Sequence, residues 1–239
     1  MFIVNYSCPK YYAIFKSNDS FQVPQYVSRV RVLLIGGGQA GEWGEMTGGD
    51  SGYVRIEEIS VTPNQVIPIT VGKGGIRDAY CGTSSFFGSY LSAHGSKGSG
   101  GGQGCSGSGG NRCTSGIGGS DGSNGYPRTG GGTWGSTLRI GQGNYSSKFW
   151  LFIYNRISFG PGGSGATLMH PGGGGGGGIL INGNGSDTPA QSGSGNGYGA
   201  GGGGIGFGAG GGAGGAGDNP DQKRYIGGGG ANGLVYIEW

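Results

Sequence analysis

Charge is scarce in this chain: 11% of the residues are Asp, Glu, Lys or Arg, and the formal net charge is +3. No basic run exceeds the pair Lys223-Arg224, so the positive footprint that a nucleic-acid partner demands is missing. No apolar run approaches the roughly 18 residues of a membrane-spanning helix. The densest, 149–153, has the length of a strand. Neither nucleic acid nor membrane insertion is expected. Cysteine is sparse too. Cys8, Cys81, Cys105 and Cys113 form no CxxC pair, and His94 and His170 lie far from them, a spacing unsuited to zinc. A Cys105–Cys113 bridge and four reduced thiols both remain open. The opening Met1-Phe-Ile-Val-Asn5 lacks the basic, apolar and small-residue regions of a signal peptide. A cytosolic origin or a mature form is expected.

Glycine is absent from residues 1–35 and then contributes 67 residues to the remainder. Hydrophobic residues make up 33%, below the roughly 45–50% of ordinary domains. Disordered chains usually combine low hydrophobicity with high net charge, and this one does not. Its 13 Tyr, 9 Phe and 4 Trp supply material for local cores. The composition therefore points to an ordered protein whose glycines are structural. Flexible glycine linkers are the alternative.

The first part reads as β. Runs 2–4 and 11–15 are β-prone, and 21–24 leads into 27–35. There Val30, Val32 and Leu34 share one face, with Arg29 and Arg31 on the other. A pair at 53–61 and 65–71 is joined by Thr62-Pro63-Asn64, another strand is expected at 83–93, and 234–239 alternates strongly. The glycine-rich body, 95–232, is inserted between these strands. Polyglycine favours the polyproline II helix, with three residues per turn and no internal hydrogen bonds. Such helices can bond side by side, helped by Cα–H···O contacts, and a buried one has no room for a Cβ. The run 172–178 suits the interior of such a bundle. The segment 210–217 places Ala213 and Ala216 three apart, as one outward row requires.

Several motifs dissolve on inspection. Residues 36–41 match GxGxxG after a hydrophobic strand, with Glu57 and Glu58 about 20 residues on. A dinucleotide site needs a helix to begin there, and glycines at 44, 48, 49 and 52 forbid one. Gly107-Ser108-Gly109 reads as composition rather than as a nucleophile elbow. His94 reads as a strand end, His170 as a loop residue, and the aspartates as turn residues. No cofactor and no enzymatic activity are expected.

Non-glycine islands interrupt the body: 120–129, 133–159 and 218–226. They are natural connectors at the ends of a bundle, although 149–159 alternates as a strand in a local core would. Tyr, Trp and Arg dominate binding hot spots, and recognition residues favour loops on rigid scaffolds. Tyr126, Arg128, Trp134, Tyr145, Lys223, Arg224 and Tyr225 are the candidate binding residues.

The runs Phe21-Gln-Val-Pro24, Val30-Arg-Val-Leu-Leu-Ile-Gly-Gly-Gly38, Ser51-Gly-Tyr-Val54, Val61-Thr-Pro-Asn-Gln65, Ile69-Thr-Val-Gly-Lys-Gly-Gly75, Gly82-Thr-Ser-Ser-Phe86 and 230–239 resemble the glycine-rich domain common in bacteriophage tail proteins. The resemblance covers about residues 20–239. It implies an all-β fold, a jelly-roll or tumour-necrosis-factor-like framework carrying a polyglycine II bundle. The glycine-rich domain of anaplastic lymphoma kinase receptors is similar in plan. The expected divisions are 1–19 as an N-terminal β segment for attachment or an extra strand, 20–94 as framework, 95–232 as bundle, and 233–239 as the closing strand. The implied function is that of a virion protein, assembled in the host cytoplasm and acting outside it. A tail-fibre tip or adhesin would bind a host-surface glycan or outer-membrane protein and contact other virion fibre proteins or its own copies. A self-assembling fibre or decoration protein is the first alternative. An ice-binding protein, which would want more regular repeats, is the second.

Overall fold

A computed structural model of the protein describes residues 11–41, 49, 52–76, 81–96, 157–159, 178–181, 184–189, 191–192, 205–208 and 228–239. The strands are β1 (Tyr12–Phe15), β2 (Asp19–Gln22), β3 (Arg29–Ile35), β4 (Val54–Ser60), β5 (Val66–Thr70), β6 (Ser85–Phe87), β7 (Leu91–Ala93), β8 (Ile157–Phe159), β9 (Ile179–Ile181) and β10 (Leu234–Glu238). Among the described residues there is no helix. All pairing is antiparallel. Sheet I has the order β1-β10-β3-β4, sheet II the order β2-β5-β6-β7, and β8 pairs β9.

The alternation expected in β3 places Val30, Val32 and Leu34 in one core with Val235 and Ile237 of β10. Phe21, Ile67, Ile69, Phe87, Leu91 and Ala93 close that core from sheet II. The other face of β3 is less polar than its arginines suggest. Leu33 and Ile35 are as buried as the core residues, because Val32-Leu-Leu-Ile35 stops alternating, the mark of a strand covered on both sides. Gly208 lies there, so close that a Cβ on it would stand 2.8 Å from Ile35 Cγ2. Beside these on β10, Tyr236 Oη donates to Glu238 Oε1 at 2.7 Å, and both residues are buried.

The expected strand 83–93 is two strands. Gly88, at φ 51°, turns the chain back on itself, and its N–H donates to Pro68 O at 2.8 Å. The N-terminal segment supplies a strand of sheet I: β1 pairs β10 in register from Tyr12↔Glu238 to Phe15↔Val235. Residues 1–10 lie outside the described residues. The strand-like run 149–159 ends in β8, whose partner β9 follows the glycine run and carries no turn or alternation signal of its own.

The sandwich has two unlike ends. At one, side chains and tight turns hold the chain. Val27 N donates to Pro24 O at 3.0 Å, Gln65 N to Thr62 O at 3.1 Å, and Tyr90 N to Phe87 O at 3.0 Å. Tyr90 Oη reaches Gln65 Oε1 at 3.0 Å, and the Tyr11 ring stacks on Trp239. At the other end, glycine flanks six strands: Gly36 after β3, Gly52 before β4, Gly72 after β5, Gly82 before β6, Gly95 after β7 and Gly233 before β10. A Cβ on any of these six would lie 1.9–2.2 Å from a backbone carbonyl oxygen of another segment. The hydrogen in its place points at that oxygen, as in a Cα–H···O contact.

Neighbouring glycines make this testable. A Cβ on Gly230 would meet Gly38 O at 2.2 Å, whereas on Gly229 its nearest contact is Gly75 O at 3.3 Å. Gly230→Ala is expected to cost about 3 kcal/mol by forcing backbones apart, a fall in melting temperature of roughly 6–12 °C. Gly229→Ala should cost under about 1 kcal/mol. Thermal unfolding decides, and equal losses would show that the close approach is not limiting.

Candidate functional site

The glycine end is the most distinctive site in the molecule, and residues 36–41 are its hub. In a strand, successive amides point alternately to two neighbours. Here Gly36 N donates to Tyr53 O at 2.8 Å, Gly37 N to Thr83 O at 3.0 Å and Gly38 N to Ala231 O at 2.9 Å. Three consecutive residues address three separate segments. Carbonyls answer in kind: Ser96 N donates to Gly37 O at 2.9 Å and Gly75 N to Gly38 O at 2.8 Å. Further out, Gly230 N donates to Gly75 O at 2.9 Å, Gly233 N to Gly72 O at 2.8 Å and Gly41 N to Gly228 O at 2.8 Å. The amides of Gly36, Gly37, Gly38 and Gly41 are thus spent inside the protein, so the GxGxxG pattern has none of these four to offer a diphosphate.

Two side chains complete the network. Ser85, fully buried, donates to Ile35 O at 2.6 Å and accepts from Gly72 N at 2.8 Å, tying sheet II to sheet I. Asn232 joins four segments. Its Oδ1 accepts from Gly74 N at 2.9 Å, its Nδ2 donates to Thr188 Oγ1 at 3.2 Å, and its carbonyl accepts from Gly208 N at 2.9 Å. Lys16, in the β1–β2 turn, pairs with Asp187 at 2.7 Å, a second tie to the 184–189 segment.

Among the described residues no group of three His, Cys, Asp or Glu could hold a metal ion. His94 follows β7 as expected, and its Nδ1 stands 3.5 Å from Ser84 Oγ. Cys81 is exposed; Cys8, Cys105 and Cys113 lie outside the described residues.

Tyr126, Arg128, Trp134, Tyr145, Lys223, Arg224 and Tyr225 all lie outside the described residues. In sequence the first four fall between Ser96 and Ile157, and the last three between Gly208 and Gly228. Ser96 and Gly228 bond to the 36–41 hub, and Gly208 bonds to Gly52 and Asn232. Sequence reasoning missed Ser85 and Asn232. Their partners are mostly backbone groups distant in sequence, and no local pattern marks them.

The arrangement defines a class: an antiparallel two-sheet sandwich whose one end is knitted through glycine backbone and carries a long insertion. Within that class the chain belongs to the glycine-rich domain family, whose model matches residues 16–239. No curated protein and no solved structure matches it.

Two measurements bear on this site. Asn232→Leu leaves the Gly74 N–H without its acceptor and is expected to cost about 1–3 kcal/mol. Asn232→Asp, which keeps the acceptor, should cost less. Calorimetric melting distinguishes them, and equal melting of both variants and wild type would remove Asn232 from the network. Separately, titration with NAD or FAD at micromolar concentration is expected to give no saturable heat. Saturable binding abolished by Gly38→Val would overturn the structural reading of the hub.

Proposed function

We propose that this protein is a non-enzymatic virion component, a phage tail-fibre tip or adhesin that binds a receptor on the host surface through its insertion. The observation that carries this reading is the pinned base. The excursion between Ser96 and Gly228 starts and ends on the same six-residue hub, with Gly37 O accepting from Ser96 N and Gly41 N donating to Gly228 O. A long insertion held at both ends by backbone bonds can vary loop side chains away from its Asp187, Thr188 and Gly208 contacts without disturbing the sandwich. That separation suits an adhesin, whose recognition surface must vary while its mount stays constant.

The three-neighbour bonding of Gly36–Gly38 supports a polyglycine II bundle as the form of the mount, because a three-residue turn points successive amides in three directions. The resemblance of the sequence to phage tail proteins supplies the viral setting. In that setting the chain is assembled in the host cytoplasm and acts outside the cell. Its ligand is a host-surface glycan or outer-membrane protein, since Tyr, Trp and Arg stack on sugars and fill pockets. All seven binding residues fall in the sequence between Ser96 and Gly228.

The test is attachment of labelled protein to a panel of bacterial surfaces. Trp134→Ala combined with Tyr225→Ala is expected to weaken attachment at least ~30-fold, from hot-spot losses of ~2 kcal/mol or more, while the melting temperature holds. Undiminished attachment, or unfolding of the double variant, would sink the assignment of these residues.

A further inference from the structure

β10 is the last of the ten strands in sequence, yet it lies inside sheet I, between β1 and β3. All five of its residues are buried. Val235 and Ile237 enter the core between the sheets, while Leu234 and Tyr236 belong to the covered outer face. Removing β10 would cut the pairing of sheet I in two, leaving β1 without its partner and β3 with β4 alone. Beyond the strand, Trp239 exchanges backbone bonds with Tyr11, and its ring meets that of Phe21 in sheet II at 5.2 Å between centroids.

The six residues that lead into β10 are bonded throughout the glycine end. Gly228 O and Ala231 O accept from Gly41 N and Gly38 N, on the β3 side. Gly230 N and Gly233 N donate to Gly75 O and Gly72 O after β5, where Gly74 N also reaches Asn232 Oδ1. Further bonds go to the insertion: Gly229 O accepts from Gln191 N at 2.8 Å, and Asn232 O from Gly208 N at 2.9 Å. One uninterrupted stretch, 228–239, thus holds sheet I, sheet II and the insertion together.

We infer that this stretch is a latch, whose docking completes sheet I and closes the base of the insertion in one movement. Register couples the two halves. A slip of one residue in β10 turns Val235 and Ile237 out of the core. A slip of two keeps the faces but brings Ala231 or Val235 to the place of Gly233, where a Cβ would lie 1.9 Å from Ile35 O. The glycine-only position therefore fixes the strand, and the strand's faces fix the glycines. The halves also meet without a spacer. Gly233 packs on the carbonyl of Ile35, and Leu234 is paired with that same residue.

Proteins open locally in cooperative units, and two arrangements are conceivable here. A hydrophobic sandwich could carry a glycine end that opens by itself, or the latch could make both a single unit. The structure favours the second, since the chain offers no slack between Gly233 and Leu234 in which one half could open alone. A mount of this kind gives way whole or not at all. The base of the insertion loosens only when a strand is drawn from the middle of sheet I, whatever the insertion binds.

Native-state hydrogen exchange on the full chain tests the latch. The amides of Gly38, Gly75 and Gly230 report on the glycine end, and those of Leu33 and Tyr236 on the interior strands of sheet I. Ile237→Ala removes a fully buried side chain four residues beyond the last glycine. It is expected to accelerate all five amides by one common factor, at least ~30-fold. In reverse, Gly230→Ala should accelerate Leu33 and Tyr236 by the factor it gives Gly38 and Gly75. Val66→Ala, at a site 60% exposed, should change all five less than about threefold. Should Ile237→Ala not fold, Ile237→Val makes the same comparison at an acceleration of roughly 2–10-fold. Glycine-end amides indifferent to the Ile237 variants, or strand amides indifferent to Gly230→Ala, would reveal two separate units and overturn the latch.

Discussion

Stacked sheets ordinarily keep about 10 Å apart because side chains fill the space between them. At the glycine end of this sandwich that separation collapses, and strand ends from both sheets bond to one another directly. Gly36 of sheet I lies against His94 O, and Gly82 of sheet II against Gly37 O, each with room for a hydrogen and none for a carbon. The rest of the molecule follows from this approach. Ser85 can reach from β6 to Ile35 O, and Asn232 can touch Gly74 and Thr188 together, only because the backbones around them are so near.

A backbone-only junction differs in kind from a hydrophobic core. Apolar contacts are non-directional and tolerate repacking. Carbonyl and amide bonds at 2.8–3.0 Å fix direction, and the packing fixes it further by excluding every side chain but hydrogen. The junction is consequently rigid and chemically almost mute. The core of Val30, Val32, Phe21 and Phe87 supplies the non-directional stability on which this directional end is built.

Much of the sandwich was legible in the sequence. Strands β3, β4, β5 and β10 stand where period-two patterns place them, and the glycine-rich family follows from motifs flanking those strands. Two features escaped. A single strand over 83–93 was a fair reading of its β-prone residues, but the left-handed Gly88 divides it. Glycine content points to the long runs of 95–232 as the place of the network, whereas its described part begins at Gly36, Gly52, Gly72 and Gly82. Short glycine groups beside strands read as turns, because pattern reports local conformation and not what another segment presses against. The candidate binding residues were legible only as aromatic and basic islands. Nothing local in the sequence says which of them share a surface.

The two sheets also illustrate how burial on a second face is recorded. β3 is apolar at every position from Val32 to Ile35, and both of its faces are covered. β5 is nearly as apolar, Val66-Ile-Pro-Ile69, yet its second face is open among the described residues. If continuous hydrophobicity marks a strand covered on both sides, β5 has the composition of a covered strand without the cover. Pro68 argues the same way. Proline is confined almost entirely to edge strands, and here it occupies an interior strand. The loss is contained because the neighbouring β6 ends at Phe87, and the Pro68 carbonyl is still used by Gly88. Among the described residues β5 therefore joins a covered apolar face, Ile67 and Ile69, to an open one, Val66 and Pro68.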